Sequence, residues 1–198
     1  DESGNRYLDF YGGHCVALLG HCPPRVVKAV QEQAEKLLFY SNVAHSPVRA
    51  EAAQKLTALA PDGEDWSVFF ANSGSEANET ALKLARTSTG RSRVVAMQEG
   101  FHGRTIGSLA TTYKASYREP YLDILPDTTF VPLGDASAVA EELSAGDVAA
   151  VILEPIQSIA GMRMAETGFV QELRALCDAH DTCLLFDEVQ TGVGRTGT

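Results

Sequence analysis

Two apolar runs in this chain end in acid. Leu184-Leu185-Phe186 meets Asp187-Glu188 and then opens into a Gly/Thr-rich loop, Val189 to Thr198. Val151-Ile152-Leu153 meets Glu154-Pro155-Ile156-Gln157. A buried strand that delivers a carboxylate at its C-terminal end offers fixed negative charge to a ligand in the crevice above an α/β sheet. Glu154 taken alone reads equally well as a strand-end acid that faces water or caps a helix. Asp187 also has the shape of the Mg²⁺-binding acid of a nucleoside-triphosphate site. That chemistry needs a G-x-x-x-x-G-K-[ST] loop, and these 198 residues contain none.

Two further segments carry candidate chemistry. Asn72-Ser73-Gly74-Ser75-Glu76-Ala77-Asn78-Glu79 lies between strand-like and helix-like patterns. Small residues there let backbone approach a ligand, and the free N–H groups of a helix start favour a phosphate. The same letters serve as a capping box, with Ser73 as N-cap and Glu76 three residues on. Phe101-His102-Gly103-Arg104-Thr105 supplies an aromatic able to cover a flat ring and an arginine able to clamp a carboxylate. The plainer reading puts Phe101 in the core and Arg104 on the surface.

The elements that position these residues read as α/β. Strands are expected at Arg6–Phe10, Trp66–Ala71, Arg93–Met97, Thr128–Val131, Val148–Leu153 and Cys183–Phe186. Helices are expected from Pro24 to about Leu38, Ser46 to about Ala60, Glu76–Thr87, after His102, Ala136–Leu143 and Thr167–His180. A turn falls at Pro61-Asp62-Gly63. Uninterrupted apolar strands alternating with helices point to a mostly parallel central sheet flanked by helices. Residues 1–60 lack that alternation and read as an N-terminal lobe segment beside an incomplete large domain, 61–198.

Composition sets limits. With 44% hydrophobic and 21% charged residues the chain is of ordinary globular composition. A net charge of −10 without a basic cluster argues against nucleic acid or an anionic membrane as partner. No signal peptide and no apolar run long enough to span a bilayer is visible. Cys15, Cys22, Cys177 and Cys183 have no C-x-x-C spacing, so no metal site is expected; they read as reduced thiols of a cytoplasmic protein.

N-S-G-S-E-A-N-E followed by A-L-K-L-A-R, F-H-G-R-T, V-I-L-E-P-I-Q and L-L-F-D-E-V-Q-T-G together resemble class III, fold type I pyridoxal-phosphate (PLP) aminotransferases. The resemblance implies a PLP-dependent enzyme with the fold type I large domain and part of the N-terminal lobe. It implies that Ser73, Gly74 and Ser75 cup the cofactor phosphate and that Phe101 stacks on its pyridine ring. Asp187 would pair with the protonated ring nitrogen, where it serves catalysis. Glu188, Val189 and Gln190 complete the cofactor set; Gln190 touches the ring oxygen and Glu188 is a structural acid, hydrogen-bonded at the strand end. Arg104 is placed on the substrate α-carboxylate, Glu154 and Gln157 near the cofactor site, and Glu154 is counted with Arg104 as substrate-binding.

The opening, R-Y-L-D-F-Y-G-G-H-C-V-A-L-L-G-H-C-P-P, resembles the acetylornithine branch. That branch implies transfer of the δ-amino group of N-acetylornithine to 2-oxoglutarate in arginine synthesis, by a homodimer. Relatives acting on succinylornithine, ornithine, acyl-lysine or 4-aminobutyrate are the alternatives. Where the family follows E-P-I-Q with Gly-Glu, this chain has Ser158-Ile159, which frees Arg104 for a carboxylate. His14 stands near the substrate entrance, at a position that is aromatic in ornithine aminotransferases and aliphatic in many acetylornithine enzymes. Both ends read as cuts through a longer protein. The five lysines, Lys28, Lys36, Lys55, Lys83 and Lys114, all precede Asp187, whereas the family's Schiff-base lysine follows it. A lysine-less protein with a structural or regulatory role is the non-enzymatic alternative.

Overall fold

A computed structural model describes residues 1–61 and 65–197, so the turn expected at Pro61-Asp62-Gly63 reaches outside the described residues. The chain divides into two compact units, Asp1–Phe70 and Ala71–Thr198.

The first unit holds a single turn α1 (Gly12–Cys15) and helices α2 (Pro24–Lys36) and α3 (Pro47–Thr57). Proline occupies the first position of α2 and of α3, where its missing N–H costs nothing and its fixed φ suits a helix. Neither Arg6–Phe10 nor Trp66–Ala71 forms a strand. Both expectations fail for one reason. A strand exists through ladder hydrogen bonds to a neighbour, and among the described residues neither segment has one. Trp66 instead donates its indole N–H to Pro61 O at 2.9 Å.

The second unit is a three-layer α/β sandwich. Strands β1 (Arg93–Met97), β2 (Thr128–Val131), β3 (Val148–Leu153) and β6 (Cys183–Phe186) form one sheet in the order β2-β1-β3-β6, every neighbour parallel. Each matches its expected bounds to the residue. All six residues of β3 are buried, which is why it reads as continuous apolar sequence and not as an alternation. Helix α4 (Gly74–Thr89) covers one face, where Leu82 and Ala85 pack on Val94, Ala96, Ala150 and Ile152. Helices α7 (Ala136–Leu143) and α8 (Thr167–Ala179) cover the other, with Val139, Leu143, Leu173 and Cys177 against Val95, Met97, Val151 and Leu153. Short pieces complete the unit: α5 (Ile106–Thr111), α6 (Ala115–Arg118), a 3₁₀ turn and an antiparallel pair, β4 (Ile156–Gln157) with β5 (Arg163–Met164).

Two arginines tie the N-terminal ends of the strands. Arg91 donates to the carbonyls of His180 at 2.8 Å and Val148 at 3.2 Å. Arg93 pairs with Asp147 at 2.7 Å and with Glu142, and these bonds hold its guanidinium firmly charged. The opposite, C-terminal ends are left for the site. The chain runs from β1 outward to β2, then crosses back to β3 on the other side of β1. The reversal opens a crevice beyond the carboxyl ends of β1 and β3, where α/β sheets bind ligands.

Candidate functional site

The residues expected to hold cofactor and substrate all lie in the second unit, in segments that begin or end at this edge. Helix α4 starts there. Ser73 is its N-cap and accepts the Glu76 N–H at 3.2 Å, while the Glu76 carboxylate accepts the Asn72 N–H at 2.7 Å. The capping reading is therefore realised, with the glutamate reaching one residue further back than in a standard box. The N–H groups of Gly74 and Ser75, first in the helix, have no intrahelical acceptor and face outward with the positive end of the helix dipole. Gly74 is required by close approach: a Cβ there would come within 2.6 Å of Val189 Cγ2. An apolar side chain from the loop after β6 thus lies against the anion-seeking end of α4.

The loop after β1 is pinned to the same helix. Gly103 has φ +131, and a Cβ on it would overlap Ser75 Oγ and meet Ser108 Cβ at 2.9 Å. Ser75 Oγ accepts the Arg104 N–H at 3.3 Å. Glu79, one turn into α4, accepts from Gly107 N at 2.6 Å and Ser108 N at 3.2 Å, so its charge sits at the start of α5.

Asp187 is the electrostatic centre. Its side chain is 4% exposed. Oδ2 accepts the Asn78 amide N–H at 2.8 Å and faces His102 Nδ1 at 2.8 Å. An ionised carboxylate only accepts, so Nδ1 carries the proton. Oδ1 accepts the Val189 N–H at 3.1 Å and retains a lone pair. Two donors on Oδ2 and one on Oδ1 leave this buried acid orientated, with one acceptor direction open. The same donors argue against a Mg²⁺ reading, because N–H groups stand where a cation would need bare oxygen.

Sequence reasoning missed Asn78 and His102. Asn78 is buried on α4 together with Leu82 and Ala85, so a polar residue on an apolar helical stripe was the available signal. His102 was hidden in plain sight between Phe101 and Gly103.

Glu154 turns inward at the end of β3. It is 6% exposed and accepts the Phe101 N–H at 2.9 Å, which fastens the end of β3 to the loop after β1. Burial pushes its carboxyl up to about 7, against the pull of the Phe101 N–H and of His102; the charge on Asp187 adds to the rise. The folded value thus lies above the ordinary carboxylate value of 4.5. The protonated group's contribution to stability is complete below that value and is lost as pH rises through about 7. Glu154→Gln keeps an acceptor for Phe101 without a titrating charge. Its urea midpoint is expected to change less between pH 5 and pH 8 than that of the parent. An unchanged pH slope would assign the slope to another group.

Gln157 is fully buried and donates to Gln98 O at 2.8 Å, so it braces the end of β1. Ser158 Oγ donates to Gln190 Oε1, joining β4 to the loop after β6. Glu188 departs from its expected role as a bonded strand-end acid. Its side chain is exposed, and its carbonyl accepts the Gly192 N–H at 2.9 Å. Neighbouring residues in extended chain point opposite ways, so an inward Asp187 sends Glu188 out. Phe101 is half-buried at the site and does not belong to the core clusters.

The model of the family described as "Aminotransferase class-III" matches residues 1–198. The chain belongs to the class-III aminotransferase family. It is 48% identical over 197 residues to an acetylornithine aminotransferase of Methanopyrus kandleri, covering all of this chain and 50% of that protein. Among solved structures, the ornithine aminotransferase of Toxoplasma gondii, described as partly occupied by PLP at its active site, superposes with a TM-score of 0.92 at 30% identity. The match covers 100% of this chain and 48% of that one. The N-acetylornithine aminotransferase of Stenotrophomonas maltophilia gives a TM-score of 0.82 at 36% identity, covering 100% and 50%. The chain thus spans about half the length of the relatives it matches. Among its described residues no helix is long and apolar enough to cross a membrane.

Proposed function

We propose that the complete class-III aminotransferase to which this chain contributes binds PLP at the edge just described and moves the δ-amino group of N-acetylornithine to 2-oxoglutarate. The observation that carries the cofactor reading is Asp187, a buried carboxylate with three donors and one acceptor direction to spare. The residues fit the cofactor's parts. Gly74 and Ser75 present free N–H groups to a dianionic phosphate at the start of a 16-residue helix, and the Ser75 hydroxyl adds a donor. Phe101 and Val189 supply apolar cover for a flat ring, and Gln190 a polar edge.

When bound, PLP supplies an electron sink beside the reacting carbon of the amino donor. Asp187 holds a proton on the pyridine nitrogen through direct charge pairing in a dry site. Asn78 and His102 keep its carboxylate from rotating. Phe101 and Val189 exclude water from the ring faces. Arg104 orients the donor through its α-carboxylate. The donor is argued from the names of relatives at 41–48% identity. Ornithine is the second reading, supported by the T. gondii superposition. A homodimer, a cytoplasmic location and the division into a lobe segment, 1–60, and a large domain, 61–198, belong to the same proposal.

The test is borohydride fixation of the cofactor on the complete protein, followed by peptide mapping. One lysine is expected to be labelled stoichiometrically, and none of Lys28, Lys36, Lys55, Lys83 or Lys114. A protein that fixes no cofactor and has no turnover would establish the non-enzymatic alternative. Labelling of one of these five with full turnover would show the catalytic lysine to be misplaced.

A further inference from the structure

The guanidinium carbon of Arg104 lies 3.9 Å from the ring centroid of Tyr117 and 5.7 Å from that of Phe101. The two rings meet edge to face, 6.4 Å apart. Lys114 Nζ is 5.0 Å from the Tyr117 centroid, because the turn of α6 sets Lys114 and Tyr117 three residues apart on one side. Two cations therefore share one ring. Among the described residues neither has an ion-pair partner.

A stacked guanidinium is held by its flat face, and its five N–H donors lie in its plane. A carboxylate partner would have occupied two of those donors. The ring fixes the direction of Arg104 and occupies none. Lys114 adds positive potential at the same place, so an arriving carboxylate also relieves repulsion between two like charges.

We propose that Tyr117 is a positioning residue for donor binding: it holds Arg104 so that the open edge of the guanidinium meets the donor's carboxylate. The proposal deepens the functional reading and rests on its assignment of Arg104. The experiment uses the complete holoenzyme and calorimetric titration with Nα-acetyl-L-norvaline, which has the donor's carboxylate but no amine to transfer. Tyr117→Phe keeps the ring and is expected to bind as the parent does. Tyr117→Leu is expected to raise Kd roughly 2- to 5-fold, the range of an exposed cation–π contact, with the cofactor absorbance unchanged. In an Arg104→Gln background the same replacement should add nothing. Increasingly fluorinated phenylalanines at position 117 keep the shape and weaken the ring's negative face, so Kd should climb with fluorine count even if the leucine variant fails to fold. A flat fluorine series, or an equal Tyr117→Leu effect in both backgrounds, would overturn the role of Tyr117 alone. An Arg104→Gln enzyme that binds the probe normally would instead remove Arg104 from the carboxylate, and the donor-binding reading with it.

Discussion

Asp187→Asn in the complete enzyme is expected to slow the amino-donor half-reaction by roughly 10²- to 10⁴-fold, with a loss of stability of only about 1–2 kcal/mol. The two effects separate because of the way Asp187 is bonded. An asparagine oxygen in the place of Oδ2 still accepts from Asn78 and His102, so the link between α4, the loop after β1 and β6 survives, while the Val189 N–H loses its acceptor to the new NH2 group. What is lost is the charge. Breaking a buried ion pair costs about 3–5 kcal/mol, and each 1.4 kcal/mol on a barrier is tenfold in rate. The measurement is the single-turnover rate with the amino donor beside a melting curve. A variant with near-normal turnover would mean that ring protonation does not depend on this acid.

Gly103→Ala is expected to destabilise the fold by roughly 3 kcal/mol or more. Two costs add. The backbone sits at φ +131, which L-residues rarely adopt, and the new methyl would overlap Ser75 Oγ and press on Ser108 Cβ at 2.9 Å. Gly134→Ala is the control. It also has a positive φ, +94, but no atom lies within 4 Å of its added Cβ. It should lose only the backbone part, roughly 1–2 kcal/mol. The difference in urea midpoint between the two variants measures how tightly the loop after β1 is held against α4. Equal losses would show that the loop yields without cost, contrary to a preformed site.

The two central strands of the main sheet, β1 and β3, were legible because each is an apolar run buried almost throughout, and the outer strands β2 and β6, only partly buried, because each is short and bounded by charge or by a turn. The same signal misled at Arg6–Phe10 and Trp66–Ala71. Apolar patterning records a wish for burial, and only a neighbouring strand turns that into a ladder. Helix α4 starts two residues before its expected bound, because an N-cap at Ser73 makes Gly74 the first helical residue. The segments with local signatures, namely the helix start, the strand-end acids, the aromatic and the arginine, come together at one edge of the sheet. Asn78 and His102 were not legible as site residues, since their role is defined by contacts 109 and 85 residues away in sequence. Tyr117 was missed for the same reason, because nothing within its own turn hints at Arg104. The bond between Glu154 and Phe101 N was not legible either. A strand-end acid faces either the ligand or the next loop, and only the position of Phe101 N decides which.

The central claim is that Asp187 keeps the cofactor's ring nitrogen protonated. It is tested most directly by ¹⁵N NMR of the complete protein loaded with PLP labelled at that nitrogen. The account predicts a protonated-nitrogen shift throughout the neutral pH range, and its conversion to the unprotonated shift in Asp187→Asn. An unprotonated nitrogen at neutral pH in the parent, or a protonated one in the variant, would contradict it.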